Sequence, residues 1–373
     1  MKNQIGLYVH VPFCVKKCSY CGFYSEPVEG YDVSRVISTI IKEIDSYEAV
    51  CPDTIYIGGG SPSCLPIGEL ERLVEKVSAL NPNAEFTVEL NPSQVTPKLL
   101  EVLHEGRVNR ISIGAQSFNE DELKILGRNH SPEDAIRAVE LAREIGFENI
   151  GLDMIFAVPG SDLHSWVNSI NAAILLEIKH ISAYSLSYEK GTPLLKQKEN
   201  GSLGVVDEEA DRRMYETAID ILDCAGYGQY EISNFAMEGY NCRHNIGYWK
   251  NTEYVGVGPS AGSLYRRKRK MNEADIEGYV RAVEAGKSAA VEEIEVSRED
   301  LACETMVLGL RLTEGVSLQE FAYKTGFRAE EVFKNALKVH IESGLIEMSD
   351  SKVRLTKDGL PVADRILCDF AAF

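Results

Sequence analysis

Residues 8–25 read YVHVPFCVKKCSYCGFYS and place three cysteines, Cys14, Cys18 and Cys21, within eight residues. The stretch begins as a β-branched and aromatic run, which is typical of a buried strand. Three thiolates at spacings of four and three residues can ligate three irons of a 4Fe-4S cluster, whereas an all-protein cluster site usually has four cysteines. A metal with an incomplete protein shell keeps a position open for substrate or cofactor. The loop therefore predicts a reactive iron–sulfur site, and a structural zinc site completed by His10 or a distant histidine is the alternative.

Length and composition limit the class of protein. A chain of 373 residues predicts one large domain and a smaller second one. The formal net charge of -18 opposes nucleic-acid binding, because phosphate would be repelled. No apolar run approaches the roughly 18 to 20 residues that span a bilayer, and the N-terminus lacks the pattern of a signal peptide. We expect a cytoplasmic protein that is not an integral membrane protein. Six scattered cysteines indicate buried thiols rather than a disulfide framework: Cys51, Cys64, Cys224, Cys242, Cys303 and Cys368.

Up to about residue 225 the chain alternates between two kinds of segment. Short β-branched or aromatic runs read IGLYVHV, TIYIGGG, EFTVELN, RISIGAQ, NIGLDMIF and HISAYSL. Amphipathic segments lie between them, such as VSRVISTIIKEIDSYEAV, IGELERLVEKVSAL, SPEDAIRAVELAREIG and DEEADRRMYETAIDILDCAG. Six βα units imply a parallel sheet, either curved into a partial barrel or laid out as an open doubly wound sheet.

Polar or glycine residues follow or end most of these runs. Barrel enzymes place their chemistry where strands end and loops begin, so a carboxylate or amide at nearly every strand end predicts one shared pocket. The residues at these ends are Gly59, Gly60, Ser61, Glu89, Gln116, Asp153 and Ser187.

The C-terminal part follows a different pattern, which reads as helices followed by a short hairpin. Ser317 is a plausible cap for the segment SLQEFAYKTG, and EEVFKNALKVHIESG ends at Gly344. This order is typical of a small winged-helix module, for which the negative charge favours a docking or lid role over DNA binding. We expect a barrel over residues 1–235, a connecting segment over 236–294 and the C-terminal module over 295–373.

The cysteine spacing resembles the signature of radical S-adenosylmethionine (radical SAM) proteins. With YVHVPFC, IYIGGGSPS, NRISIGAQSF and RHNIGYW, the sequence is similar to the family of the oxygen-independent coproporphyrinogen III oxidase HemN and the haem chaperone HemW. The resemblance extends from Tyr8 to the C-terminal module. It implies an α/β fold, a partial six-unit TIM-type radical SAM barrel followed by a mainly helical, winged-helix-like domain. It also implies a 4Fe-4S cluster on Cys14, Cys18 and Cys21 whose fourth iron binds S-adenosylmethionine.

The resemblance assigns further residues to the S-adenosylmethionine site. Tyr8 and Glu89 match positions at the methionyl end, and Gly59 and Gly60 match positions where bare backbone approaches the ligand. Tyr20 matches an aromatic residue that lies against the adenine. The remaining pocket positions are Ser61, Gln116, Ser187, Asp153, which suits ribose hydroxyls, and Arg128, which suits a carboxylate.

Two departures from HemN favour the chaperone. HemN has a glycine and a fourth cysteine after the third, whereas Gly22 and Phe23 follow Cys21 here. HemN also has a long segment before its first strand, whereas seven residues precede Tyr8 here. The alternative function is oxidative decarboxylation of porphyrinogen propionates.

The stretch RHNIGYW supplies a second motif, H-N-x-x-Y-W, at His244, Asn245, Tyr248 and Trp249. The resemblance implies haem binding here, and an imidazole can ligate haem iron axially. The alternative is that these residues fix a loop over the barrel.

A basic run at residues 266–270 is a candidate contact with anionic lipid or acidic partners, and a solvated loop is the alternative. We therefore expect a haem chaperone that delivers haem to acceptor apoproteins, with membrane-bound respiratory enzymes as candidate acceptors.

Overall fold

The computed structural model describes residues 4–47 and 50–373. The strands are β1 (Ile5–Val11), β2 (Phe13–Cys14), β3 (Glu26–Pro27), β4 (Thr54–Gly59), β5 (Glu85–Leu90), β6 (Arg110–Gln116), β7 (Ile150–Phe156), β8 (His180–Ser185), β9 (Gly228–Glu231), β10 (Asn234–Ala236), β11 (Glu253–Val257), β12 (Gly262–Tyr265), β13 (Lys268–Asn272), β14 (Ala290–Glu295), β15 (Val316–Ser317), β16 (Ile346–Met348) and β17 (Lys352–Leu355). The helices are α1 (Val33–Asp45), α2 (Ile67–Ser78), α3 (Pro97–Glu105), α4 (Glu120–Leu126), α5 (Pro132–Ile145), α6 (Leu163–Leu175), α7 (Pro193–Glu199), α8 (Glu208–Cys224), α9 (Arg243–Trp249), α10 (Ile276–Glu284), α11 (Arg298–Gly309), α12 (Leu318–Thr325), α13 (Ala329–Val332), α14 (Lys334–Glu342) and α15 (Ala363–Cys368).

Twelve strands of the described residues form one sheet, in the order β14-β13-β12-β11-β1-β4-β5-β6-β7-β8-β10-β9. From β11 through β1 and on to β8, neighbouring strands are parallel. Parallel neighbours require crossover connections, which helices such as α1, α2, α3, α5 and α6 supply. All six predicted strand runs lie in this parallel part, so that prediction is confirmed.

Strand β1 illustrates why these runs form strands that are buried on both faces. Leu7, Val9 and Val11 are at most 2% exposed and belong to the main hydrophobic core. Tyr8 and His10 alternate with them and point to the opposite face of the sheet, as the twofold period of a strand requires. That opposite face is the polar interior of the barrel.

The segment predicted as a connection extends the sheet instead. Strand β11 pairs with β1 in parallel, with Val9 opposite Val257, and β12, β13 and β14 continue beyond it. Burial of Val257 stabilises this pairing, which also covers the edge that β1 would otherwise leave open. We propose a single domain boundary near residue 295, because the main core extends to Ala289 and a second core begins at Ala302.

The C-terminal module has the predicted winged-helix character. Ser317 caps α12 as expected, and β16 and β17 form the hairpin of a sheet that β15 completes. The helix predicted to end at Gly344 is divided into α13 and α14 at Phe333, whose side chain is buried in the second core. The first helix was predicted to continue through Val50 but ends at Asp45, and residues 48–49 lie outside the described part of the chain.

Candidate functional site

The loop with the three cysteines is anchored at the carboxyl ends of the barrel strands. Its base is closed by pairing of β2 with β3, and the Val28 N–H donates to the Cys14 carbonyl oxygen (3.0 Å). In its middle, the Ser19 N–H donates to the Leu126 carbonyl oxygen at 3.0 Å, and the Ser19 hydroxyl donates to the Ile125 carbonyl oxygen at 2.7 Å. These bonds connect the loop to α4, which follows β6.

The three thiols are partly exposed. Burial raises the pKa of the Cys14 and Cys21 thiols, so binding of a metal as thiolate ligands would release protons. Among the residues described, no three His, Cys, Asp or Glu side chains converge on the position of one metal ion, as a zinc site would require. A 4Fe-4S cluster ligates each cysteine through a different iron, so this donor set fits a cluster better than zinc.

Arg128 connects the cysteine loop to the end of β6. Its Nη1 donates to Cys18 Sγ at 3.4 Å, and its Nη2 donates to the Gly114 carbonyl oxygen at 2.6 Å. A Cβ on Gly114 would lie 2.8 Å from Gln116 Nε2 and 3.3 Å from Arg128 Nη2. Arg128 and Gln116 are therefore neighbours beside a cluster cysteine, while their roles toward a ligand stay predictions.

Tyr20 is part of the cysteine loop, between Cys18 and Cys21. It packs against a small apolar cluster that includes Leu126 and Leu186. Burial raises the pKa of its hydroxyl, and the nearby positive charge of Arg128 opposes this shift. The ring therefore packs where the loop meets this apolar cluster, and its contact with adenine stays a prediction.

Glu89 is a half-buried carboxyl group inside the barrel. The Tyr56 hydroxyl donates to Glu89 Oε1 at 2.7 Å, and the Gly59 N–H also donates to this carboxylate. A Cβ on Gly58 would lie 2.6 Å from Glu89 Oε2, so the glycine gives the carboxylate its space. Burial raises the pKa of Glu89 to about 7, and the bond from Tyr56 lowers it. An arriving cation would favour the ionised form.

Tyr8 is oriented by His10, which the sequence suggested only as a ligand of the alternative zinc site. His10 Nε2 lies 2.9 Å from the Tyr24 carbonyl oxygen, which can only accept, so Nε2 carries the proton. The unprotonated Nδ1 then accepts from the Tyr8 hydroxyl at 3.0 Å. Burial lowers the pKa of His10, which keeps the ring neutral. The Tyr8 hydroxyl is thus fixed in the barrel near Tyr56, at a ring separation of 6.3 Å.

The two predicted glycines have packing reasons of their own. Gly59 has a φ of 101°, and a Cβ there would lie 2.6 Å from the His10 ring. A Cβ on Gly60 would lie 2.3 Å from the Phe13 carbonyl oxygen. Contact with the neighbouring chain segment therefore requires glycine at both positions, independently of the predicted approach to a ligand.

Asp153 lies deeper in the barrel than predicted. It is the fourth residue of β7, not the last, because the strand continues to Phe156. The Ser112 hydroxyl lies 3.2 Å from both carboxylate oxygens, and Ser182 is a further hydrogen-bond partner. Burial raises the pKa of Asp153. Asp153, Glu89 and Tyr8 thus share one polar interior, in contrast to the aliphatic filling usual in such barrels.

Two predicted pocket residues lie nearer the rim. Ser61 is buried after β4, where its hydroxyl donates to Gln94 Oε1 at 2.9 Å and lies 2.9 Å from Ser63 Oγ. Ser187 is exposed on the loop after β8. Their predicted contacts with a ligand remain predictions.

His244 lies at the amino ends of β1 and β4, opposite the cysteine loop. Its Nδ1 lies 2.8 Å from Thr54 Oγ1, and its Nε2 lies 3.0 Å from the Tyr248 hydroxyl. The ring stacks on Tyr56 at 5.1 Å and is 3% exposed. Burial lowers the pKa of His244 to about 3. Ligation of iron by His244 would require one of these hydrogen bonds to break.

The last residue of the H-N-x-x-Y-W motif, Trp249, and the following residue Lys250 contact the C-terminal module. The Arg311 guanidinium lies 4.7 Å over the Trp249 ring. Lys324 Nζ donates to the Lys250 carbonyl oxygen at 2.7 Å, just beyond the carboxyl end of α9. An ammonium group is favourable at this end of the helix dipole. In this conformation the motif therefore joins the barrel to the module.

Comparison with known proteins decides the family. The model of the radical SAM superfamily matches residues 8–173, and the model of the HemN C-terminal domain matches residues 296–362. The chain is 37% identical to "Heme chaperone HemW" of Bacillus subtilis over 98% of both chains, and 32% identical to "Heme chaperone HemW" of Escherichia coli over 95% of both. The chain belongs to the HemN/HemW family of radical SAM proteins.

One further sequence relative and one solved structure also match this chain. It is 33% identical to "Radical S-adenosyl methionine domain-containing protein 1, mitochondrial" of Danio rerio, over 98% of this chain and 86% of the relative. Its fold matches the solved structure of coproporphyrinogen III oxidase (HemN) from Escherichia coli with a TM-score of 0.85, at 20% identity, over 99% of this chain and 90% of the other. The predicted partial barrel with a HemN-type C-terminal domain is thereby confirmed.

Membership of the radical SAM superfamily implies a 4Fe-4S cluster and S-adenosylmethionine. The described residues fit both groups, with partly exposed thiols on one loop and the half-buried carboxyl group of Glu89 beside Gly58. Within residues 4–47 and 50–373, no helix combines the length and the apolar character needed to cross a bilayer.

Two interior residues, Tyr56 and Arg110, were not predicted from the sequence. Tyr56 precedes Gly58 by two positions in β4, so strand alternation places both on the inner face. Arg110 begins β6 and is 1% exposed, near the charge of Glu85. Polar residues at alternate positions of buried parallel strands were the available signal.

The basic run forms the turn and second strand of a hairpin. Lys268 and Lys270 both pair with Glu293, at 2.6 Å and 2.9 Å, and Arg269 pairs with Glu304 at 2.7 Å. Three of its five positive charges thus have acidic partners within the chain. The run is therefore part of a hairpin and not the solvated loop given as the alternative, while its contact with anionic lipid or acidic partners stays a prediction.

Proposed function

We propose that this protein is a haem chaperone that holds a 4Fe-4S cluster and S-adenosylmethionine and delivers haem to acceptor proteins. The observation that carries the proposal is similarity over 95–98% of the chain to proteins named "Heme chaperone HemW", at 32–37% identity. This similarity includes both the barrel and the C-terminal module.

Three cysteines would hold the cluster, and the polar interior beside them would hold S-adenosylmethionine. Together the two groups supply one-electron chemistry at a sulfonium centre. Glu89 would bind a positively charged amino group, because its carboxylate lies beside Gly58 and Gly59 at the carboxyl end of β4. Tyr56 orients that carboxylate and favours its ionised form. Burial excludes water and strengthens the contact.

The other pocket residues are proposed as ligand contacts on their positions. Arg128 and Gln116 lie beside Cys18, and Tyr20 lies on the cysteine loop. Asp153 is deeper, and it would reach a hydroxyl-bearing ligand only in competition with Ser112. The remaining proposed contacts are Tyr8, Gly59, Gly60, Ser61 and Ser187.

Haem is the proposed cargo, and its acceptors are apoproteins that include membrane-bound respiratory enzymes. The proposed haem contact at His244 needs an open form of the motif, since both ring nitrogens have partners inside the fold. Before the motif opens, it positions the residues that pack against it.

Oxidative decarboxylation of porphyrinogen propionates is the alternative. The loop residue Phe23, at the position where HemN has a fourth cysteine, is 68% exposed. A large apolar side chain at that position cannot ligate a metal, which supports the chaperone.

Titration of haem into the anaerobically reconstituted protein tests the proposal. We expect a saturable change of the Soret band that reaches its end point near one haem per chain. A linear, unsaturable increase like that of free haem would reject the proposal.

A further inference from the structure

Strand β6 is irregular near its carboxyl end, beside the cysteine loop. Its pairing with β7 shifts register between Ile113 and Gln116. Gly114 and Ala115 therefore stand opposite the single residue Asp153, which is the geometry of a β-bulge. A bulge takes its carbonyl oxygens out of the regular ladder, so they can accept hydrogen bonds from side chains.

Two side chains of one short segment donate to these carbonyl oxygens. Arg128 Nη2 donates to the Gly114 carbonyl oxygen at 2.6 Å. His130 Nε2 lies 2.9 Å from the Ala115 carbonyl oxygen. The segment is the connection between α4 and α5. Arg128 and His130 are thus docked side by side on the bulge.

The hydrogen bonds of His130 define the form of its ring. A carbonyl oxygen can only accept, so Nε2 carries the proton and donates to Ala115. The unprotonated Nδ1 then accepts from Arg128 Nε, at 3.3 Å. The side chain is 6% exposed, and burial together with the charge of Arg128 lowers the pKa of His130 to about 4. The ring is therefore neutral and remains an acceptor for the guanidinium.

The guanidinium of Arg128 is fixed by three hydrogen bonds. Nε donates to His130, Nη2 donates to the Gly114 carbonyl oxygen, and Nη1 donates to Cys18 Sγ at 3.4 Å. An arginine has five N–H donors, so two of them remain for a ligand. A planar guanidinium that is already held in one orientation loses little freedom when it binds a carboxylate. The two remaining donors are therefore pre-oriented beside a cysteine of the proposed cluster.

A buried histidine in the C-terminal module provides a comparison. His340 is 7% exposed, close to the value for His130, and its Nε2 lies 2.8 Å from Asp369 Oδ2. Asp369 itself is exposed to solvent. The two histidines thus match in burial, but only His130 holds a predicted pocket residue.

We propose that His130 is a positioning residue, which holds the Arg128 guanidinium beside Cys18 so that its two remaining N–H groups can bind a carboxylate ligand. This role rests on the proposed S-adenosylmethionine site. It explains why a neutral, buried imidazole follows Arg128 by two residues, at a position for which the sequence predicted no function.

Calorimetric titration of S-adenosylmethionine into the reconstituted protein tests this role. His130→Leu fills a similar volume but removes the acceptor, so the affinity should fall about five- to tenfold while the iron and sulfide content stays at the wild-type level. His130→Asn should restore most of the affinity, because its side-chain oxygen can replace Nδ1 as the acceptor. The matched control His340→Leu should lower the melting temperature by a similar amount and leave the affinity unchanged.

A double-mutant cycle separates positioning from a direct contact with the ligand. Arg128→Met alone should weaken the affinity more than His130→Leu does, because it removes the charged group. If His130 acts through Arg128, adding His130→Leu to Arg128→Met should weaken the affinity by less than about twofold further.

The other outcomes would overturn the role. Unchanged affinity in a folded His130→Leu variant, or effects of the two substitutions that add in full, would overturn it and leave the proposed pocket standing. Loss of iron and sulfide in His130→Leu would also overturn it, since the histidine would then support the cysteine loop. If His130→Leu does not fold, His130→Asn should bind more tightly than His130→Gln, and equal affinities would contradict the role. A wild-type protein that retains its cluster but binds no S-adenosylmethionine would reject the pocket and the role together.

Discussion

The carboxyl end and the amino end of the barrel both contain titratable side chains, but these side chains differ in exposure and in hydrogen bonding. At the carboxyl ends, three thiols are partly exposed and Glu89 has a pKa of about 7. At the amino ends, His244 has a hydrogen-bond partner on each ring nitrogen, and burial lowers its pKa to about 3. Groups that can still bind a ligand therefore concentrate at the first end, whereas the motif at the second end is satisfied by the protein itself.

One side chain contacts both ends. The Tyr56 hydroxyl donates to Glu89, and the Tyr56 ring stacks on His244. Its hydroxyl hydrogen-bonds Glu89 in the proposed ligand pocket, and its ring packs against His244 of the motif. Substitutions that remove one function and keep the other can therefore distinguish the two ends.

The largest expected effect is at the cysteine loop. Cys14→Ala, Cys18→Ala and Cys21→Ala should each lose the cluster, because each removes one of three protein ligands. Iron and sulfide analysis after anaerobic reconstitution should fall from about four of each per chain to near zero. Cys51→Ala and Cys64→Ala are the matched controls and should retain the cluster. Cys64 is the stricter control, since it lies near enough for the charge of Cys14 to raise its pKa.

At the amino end of the barrel, we expect substitution of His244 to lower stability. His244→Ala removes a buried ring with two hydrogen bonds, which should lower the free energy of unfolding by about 2–4 kcal/mol. His104→Ala, at an exposed position, should stay within about 0.5 kcal/mol of wild type. Urea unfolding of the two variants measures the difference. Equal stabilities would mean that the motif histidine is not a packing residue.

At the carboxyl end of the barrel, we expect substitution of Glu89 to lower the affinity for S-adenosylmethionine. Glu89→Gln should weaken S-adenosylmethionine binding by more than about tenfold, since a charge-assisted contact contributes about 1.5–3 kcal/mol. The wild-type carboxylate has a raised pKa of about 7, so the charged form is present above that pH and is lost as pH falls. Calorimetric affinity should therefore decrease below pH 7 for wild type and stay flat for Glu89→Gln. A pH-dependent variant would show that another group binds the cation.

The smallest expected effect is at the connecting residue. Tyr56→Phe removes the hydrogen bond that lowers the pKa of Glu89 and keeps the ring that stacks on His244. The midpoint of the pH profile should move upward, and affinity at pH 7 should fall a few-fold, consistent with about 0.5–1.5 kcal/mol for one hydrogen bond. Haem binding should be unchanged. A parallel loss of both ligands would contradict separate roles for hydroxyl and ring.

Strand positions were predictable from the sequence because each run is β-branched or aromatic and ends at a turn residue. The seventh parallel strand, β11, was not predicted. Its sequence EYVGV is short and lies in a glycine- and aromatic-rich stretch. It becomes a strand because the exposed edge of β1 gives Val255 and Val257 a place to be buried. Tertiary contact decided that element.

Site residues were predictable as members of a family pattern and less so by their contacts. The position of Asp153 inside β7 depends on how far the strand continues beyond it, and the polar residue Asp153 does not mark the end of the strand. The burial of His244 depends on Thr54, which is 190 residues away in the chain. Hydrogen-bond partners at such separations leave no periodic signal, so the structural role of the motif became visible only in the folded chain.

One measurement tests the central claim most directly. The reconstituted protein is incubated anaerobically with S-adenosylmethionine, a reductant, haem and coproporphyrinogen III, and the tetrapyrroles on the protein and in solution are then quantified by chromatography. A haem chaperone should carry about one haem per chain and leave coproporphyrinogen III unchanged. Conversion to protoporphyrinogen IX, with no haem retained on the protein, would contradict the account.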